Sequence, residues 1–189
     1  MMDEDHMLPE ESASGHPLRH HVLVWARDLI ISLIVAAVII LFVYQPVEVE
    51  GTSMQPTLTD QERIFINKFA YRFRFEDIQR GDMVVFRFPH DPSKSYIKRV
   101  IGLPGDTIHI ERGTVFVNGS RIDEPYVAAD YRDSQSWGPG TVGSDCYFVL
   151  GDHRSSSNDS RNWGMVNRDL IYGKAVFIYW PLDRIGPVR

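Results

Sequence analysis

Residues 107–122 read TIHIERGTVFVNGSRI, and their pattern sets the fold class. Ile108 and Ile110 alternate with Thr107, His109 and Glu111, the period-two signature of a half-buried strand, which turns His109 toward solvent. Arg112-Gly113 turns the chain, Thr114–Val117 returns it, and Asn118-Gly119 turns it again into Ser120–Ile122. Three short antiparallel strands therefore fit into this one stretch. Similar runs lie outward from it on both sides: Val47–Glu50, Ile64–Ile66, Met83–Phe86, Tyr147–Leu150 and Lys174–Trp180. Residues 89–94, 132–144 and 152–164 read as loops. Strands outnumber helices and the connections are short, so the expectation is a mainly β chain, an antiparallel β-barrel or folded sheet.

One segment breaks the β pattern. Leu29 to Val47 is a run of 19 residues without a charge. As a helix it would reach roughly 28 Å, close to the hydrocarbon thickness of a bilayer. Only Ser32 interrupts its apolar character as far as Tyr44, so it lacks the polar stripe of a core helix on a protein surface. Its exit, VYQPV at 43–47, lacks the small-x-small pattern of a cleaved signal, and Pro46 reads as a helix stop. The chain thus divides into a disordered tail (1–21), a transmembrane anchor (22–46) and a β-rich body (47–189). Arg19 and Arg27 precede the span, whereas only Arg63 follows within about 20 residues, which places the N-terminus in the cytoplasm. Residues 69–75, FAYRFRF, interleave aromatics with arginines, a pattern suited to lipid headgroups or to a half-buried strand.

The chain carries a formal net charge of −5, but residues 45–189 hold 19 acidic and 18 basic residues, a net of −1. That balance gives no basic surplus for nucleic acid. With Cys146 as the single cysteine, no internal disulfide can form. Cys146 reads as a small buried strand residue.

Candidate chemistry starts from Ser53, in EGTSMQPTL (50–58), just after a strand and a few residues beyond the apolar run. Gly51 permits close backbone approach and Pro56 fixes a turn, a combination that can hold the Ser53 hydroxyl at a sharp corner. The body has three histidines, His90, His109 and His153, of which only His153, beside Asp152, could serve a Ser-His-Asp triad. Lys98, in SYIKRVIG (95–102), is the other candidate base. Alternation puts Tyr96, Lys98 and Val100 on one face and Ile97, Arg99 and Ile101 on the other, so one basic residue must share an apolar face. Burial disfavours an ammonium and lowers its pKa, and a neutral amine can take a proton from a serine. A third segment, residues 151–164 (GDHRSSSNDSRNWG), is dense in hydroxyls and spaces Asp159 and Arg161 to pair around Ser160.

In combination and in order, these three segments resemble those of bacterial type I signal peptidases, serine proteases with a Ser/Lys dyad. GTSMQPTL resembles the family's nucleophile box, YIKRVIGLPGD (96–106) its lysine box, and residues 151–161 its final box. The resemblance implies Ser53 as nucleophile and Lys98 as general base. Ser157 would orient the Lys98 amine, Asp159 and Arg161 would brace the loop, and Met54 would pack beneath the nucleophile. It also implies a β-rich catalytic domain outside the bacterial inner membrane, acting on preprotein signal peptides at Ala-x-Ala sites, with no metal or organic cofactor. Two positions depart from the family. Gly51 stands where some members carry a hydroxyl that helps form the oxyanion hole, leaving backbone N–H groups to do so. His153 stands where the family usually has Asn.

Overall fold

The computed structural model describes residues 17–69 and 77–188. The tail expected over residues 1–16, and residues 70–75 of the aromatic–arginine segment, lie outside the described residues.

Helix α1 runs Pro17–Val43. Within it, His21–Ile39 is long and apolar enough to cross a membrane, and none of that stretch is buried. The helix begins well before the charge-free run. Arg27 and Asp28 lie inside it as a neighbouring ion pair at 2.8 Å, so their charges interrupt the composition without ending the helix. It stops at Val43, ahead of Pro46. That proline sits instead in a strand, opposite Phe65.

The remainder, from Leu41 to Arg189, forms a separate unit. Its strands are β1 (Tyr44–Glu48), β2 (Arg63–Asn67), β3 (Met83–Phe88), β4 (Asp91–Gly102), β5 (Thr107–Glu111), β6 (Thr114–Val117), β7 (Ser120–Arg121), β8 (Trp137–Thr141), β9 (Cys146–Leu150), β10 (Val166–Asn167), β11 (Ile171–Trp180) and β12 (Gly186–Pro187). One sheet has the order β1-β2-β11-β3-β4-β9-β10, with β12 on β11, and the other the order β7-β6-β5-β8. The pairings are antiparallel. The mainly β architecture with one N-terminal apolar helix is the one expected. Pro46 is tolerated because β1 is an edge strand, where a missing amide donor leaves no ladder bond unmade.

Two expected loops are partly strand. Residues 91–94 already belong to β4, whose first half pairs only with β3, since β9 joins from Arg99 onward. That exposed edge accommodates Pro92. Likewise WGPGT at 137–141, which reads as turn sequence, is edge strand β8 on β5. Residues 152–164 do connect strands, but contain a 3₁₀ turn at Arg154–Ser156 and a one-turn helix, α2, at Ser160–Trp163. His109 is half-buried against Phe116 rather than solvent-facing.

Three apolar clusters fill the body. Val84, Phe86 and Val100 centre the first, Met54, Leu58, Ile64 and Val85 the second, and Ile101, Ile108, Phe148 and Leu150 the third. Strand β4 contributes to all three, because its C-terminal half is covered on both faces. Lys98 and Arg99 are therefore both buried, each 4% exposed. Alternation alone placed only one of them inside.

Candidate active site

Ser53 is held by its neighbours on both sides. Beyond β1 the chain stays tied to the next strand through Val49 N–H to Glu62 O at 2.8 Å and Gln61 N–H to Val49 O at 2.8 Å. Gly51 then takes φ +91°, a conformation that side-chain-bearing residues rarely adopt, and donates its N–H to Asp60 Oδ1 at 2.7 Å. Bonds from Gln55 N–H to Thr52 O (3.0 Å) and Leu58 N–H to Met54 O (2.9 Å) close the corner. Met54 and Leu58 plug into the second cluster at 1% and 0% exposure, so Ser53 sits on a rigid base.

Lys98 reaches this corner from β4, where its backbone lies opposite Val84. Its Nζ is 2.6 Å from Ser53 Oγ and also donates to Ile97 O at 3.0 Å. Burial pushes the amine down to about 8, against the pull of Asp159 and Asp152, whose negative charges favour the ammonium. A lysine so placed spends a usable fraction of its time neutral near pH 8. Ser53 and Lys98 open onto a cavity of about 380 Å³ with Val47, Val49, Val85 and Ile97 among its walls.

The segment from Gly151 to Trp163 closes the site from behind. Gly151 is a glycine because nothing larger fits: an added Cβ would fall 2.2 Å from Ser157 Oγ and 2.4 Å from Ser53 O. His153 N–H donates to Ser53 O at 3.1 Å, tying the loop to the serine's own backbone. Gly151 N–H donates to Asp159 Oδ2 at 3.1 Å. Asp159 is fully buried and takes a fork from Arg161, Nε to Oδ1 at 2.8 Å and Nη2 to Oδ2 at 2.9 Å. Arg161 continues to Asp133 at 2.5 Å. Ser160 Oγ meanwhile accepts from Val149 N–H at 2.9 Å, sealing the loop to β9.

Ser53, Lys98, Ser157, Asp159, Arg161, Met54, Gly51 and His153 therefore lie at or beside one site, in differing ways, whereas His90, His109 and Cys146 lie elsewhere. Ser157 Oγ is buried next to Gly151, yet makes no hydrogen bond among the described residues. The His153 ring makes its contacts with groups other than the serine hydroxyl. Its Nδ1 lies 3.2 Å from Thr52 O, and the ring meets Tyr131 edge-on at 4.5 Å.

A further set was not visible in the sequence. Arg99 donates to Asp152 through Nε (2.9 Å) and Nη2 (2.7 Å), and Thr57 Oγ1 donates to the same carboxylate at 2.5 Å. The Arg99 guanidinium also stacks on the Tyr126 ring at 4.0 Å. One carboxylate thereby ties together the serine corner, the lysine strand and the loop. The adjacency of Arg99 to Lys98, and of Asp152 to Gly151, was the available signal, but only the fold pairs them. Among the described residues, no group of three or more His, Cys, Asp or Glu is placed to hold a metal.

The family described as "Signal peptidase, peptidase S26" matches residues 22–180. A signal peptidase I of Bacillus amyloliquefaciens is 39% identical over 177 residues, covering 89% of this chain and 93% of that protein. A probable signal peptidase I-2 of Synechocystis sp. is 40% identical over 166 residues, covering 85% of this chain and 74% of that protein. A crystal structure of a signal peptidase I from Enterococcus faecalis V583 is 32% identical, spanning 52% of this chain and 97% of that one, with a TM-score of 0.47. With a family match across most of its length, and relatives near 40% identical over at least as much, the chain belongs to the signal peptidase family, peptidase S26.

Proposed function

We propose that this protein removes signal peptides from exported preproteins by a Ser53/Lys98 mechanism. The observation that carries the reading is a buried amine, lowered to about 8, set 2.6 Å from a serine hydroxyl at the mouth of an apolar cavity. In its neutral form Lys98 accepts the Ser53 proton as Oγ attacks the scissile carbonyl. The resulting ammonium then gives that proton to the leaving amine. A water, deprotonated by the same amine, hydrolyses the acyl-enzyme. Oxyanion stabilisation falls to backbone N–H groups, that of Ser53 included, since Gly51 offers no hydroxyl.

Apolar walls beside Ser53 suit small side chains, in line with cleavage after Ala-x-Ala. The free edge of β1 and the half of β4 not covered by β9 border this cavity, so an extended substrate can add main-chain hydrogen bonds to either. Asp159 with Arg161 braces the loop, Met54 supports the nucleophile, and Ser157, whose buried Oγ makes no hydrogen bond among the described residues, is the hydroxyl assigned to orient the amine.

The helix supplies a single membrane anchor, with the N-terminus cytoplasmic and the body, residues 47–189, on the extracytoplasmic face. Membrane lipid is thus a partner alongside the signal peptide.

The test is cleavage of a preprotein bearing an Ala-x-Ala site by full-length protein in detergent. Ser53→Ala should abolish product, and Lys98→Ala should cut the rate by roughly 10²–10⁴-fold. His153→Ala should stay within a few-fold of the parent. Full activity in Lys98→Ala would overturn the mechanism, and loss in His153→Ala alone would move the base to the histidine.

A further inference from the structure

Glu124 lies in a stretch of sequence that carries no motif, yet it is only 4% exposed. Its carboxylate takes a fork from Arg154, Nη1 to Oε2 at 2.9 Å and Nη2 to Oε1 at 2.6 Å. Tyr126 Oη donates to the same Oε1 at 3.1 Å. Both charged side chains are sealed from water, at 4% and 3% exposure. Removing two ions from water costs several kcal/mol each before their attraction is counted, so a simple connection has no use for such a pair.

Its value lies in what Arg154 does with its remaining groups. Arg154 Nε donates to Gly151 O at 3.0 Å, and Arg154 O accepts from Arg161 Nη2 at 2.8 Å. Gly151 is the residue wedged against Ser157 Oγ and Ser53 O. Arg161 in turn holds Asp159, which anchors Gly151 N–H. Gly151 is therefore held at both its polar groups, at O directly by the Arg154 guanidinium and at N–H through Asp159, Arg161 and the Arg154 backbone carbonyl, and the guanidinium is fixed by Glu124.

We propose that Glu124 is a positioning residue: through Arg154 it clamps Gly151 against the Ser53 backbone and so keeps Ser53 Oγ within reach of Lys98 Nζ. The proposal rests on the reading of Ser53 and Lys98 given above. Lys98 is faced by the Ser53 hydroxyl, the Tyr96 ring, and the Asp152 and Asp159 carboxylates, with Arg99 beside it and Glu48 and Glu50 on the wall of the same cavity. If the clamp slackens, water reaches the amine, burial weakens, and the amine becomes more basic.

The experiment compares full-length Glu124→Gln with the parent in detergent, across pH 7 to 10, with Ser53→Ala and Lys98→Ala alongside. Glu124→Gln keeps the shape and one accepting oxygen, but turns the other into an NH2 donor and so loses the fork and the ion pair. At pH 7.5 its kcat should fall roughly 10–100-fold, as small misplacements of reacting atoms do, while KM stays within about twofold. The acid limb of its profile should move to higher pH, so the deficit at pH 10 is smaller than at pH 7.5. An unchanged kcat, or a deficit that is equal at every pH and follows the folded fraction, overturns the proposal. Activity in Lys98→Ala would instead overturn the underlying dyad, whatever Glu124→Gln does. If Glu124→Gln does not fold, the Glu124→Met/Arg154→Met pair replaces both charges with apolar groups and takes the same readouts. An unshifted profile there, or failure of both variants to fold, assigns the pair to stability alone and overturns the positioning role.

Discussion

Gly151 shows how much of this site depends on single atoms. Its missing side chain is the space in which Ser157 Oγ and Ser53 O approach, at 2.2 and 2.4 Å from where a Cβ would stand. Gly151→Ala must push one of them away, and overpacking of this kind costs about 1–3 kcal/mol. Displacement of Ser53 should lower kcat/KM by roughly 10²-fold. A steady-state assay beside a thermal melt separates the two effects. Gly51 is constrained differently, by its φ of +91° and not by crowding. At this scale the sequence made Ser53 and Lys98 candidates through their local settings, and the order of the three segments singled them out. It did not show that Lys98 and Arg99 are both buried, because alternation along β4 hides the fact that both faces are covered. Nor did it reveal Glu124, whose importance comes from Arg154, thirty residues away in the chain.

Elements bring these residues together through a few buried charges. Asp152 receives Arg99 from β4 and Thr57 from the serine corner, so it joins three segments distant in sequence. Both partners of the Asp152–Arg99 pair are nearly inaccessible to water, at 0% and 4% exposure. Asp152→Asn leaves the guanidinium buried without its counter-charge, and should lower unfolding stability by roughly 3–5 kcal/mol, measured by denaturant titration of the detergent-solubilised protein. The β5–β6–β7 meander was legible in full because turn chemistry and alternation agree there. Strand β8 was not, since Gly-Pro-Gly normally ends strands and is accommodated here only at a sheet edge. The early start of β4 escaped for the same reason. Pro92 is permitted where only one neighbour strand pairs.

At the scale of the molecule, an apolar helix precedes a β-rich catalytic body. The expected apolar helix is present. It accepts the Arg27–Asp28 pair within its length and ends before Pro46, so the charge-free run alone does not mark the ends of the helix. The proposed orientation is testable on intact cells carrying Leu182→Cys and Cys146→Ser. Leu182 is 70% exposed, and a membrane-impermeant maleimide added from outside should label it once the outer barrier is opened. Labelling only after the inner membrane is breached would reverse the topology.

The central claim is that the whole enzyme turns over through a neutral Lys98, and the pH dependence of kcat/KM for the full-length parent addresses it most directly. Lys98 is lowered to about 8, so its neutral fraction grows as pH rises through that value. Because kcat/KM reports ionisations of the free enzyme, activity should climb through an acid limb centred near 8 and level off above it. A limb centred near 6.5, the ordinary value for histidine, would contradict the account and return the base to His153.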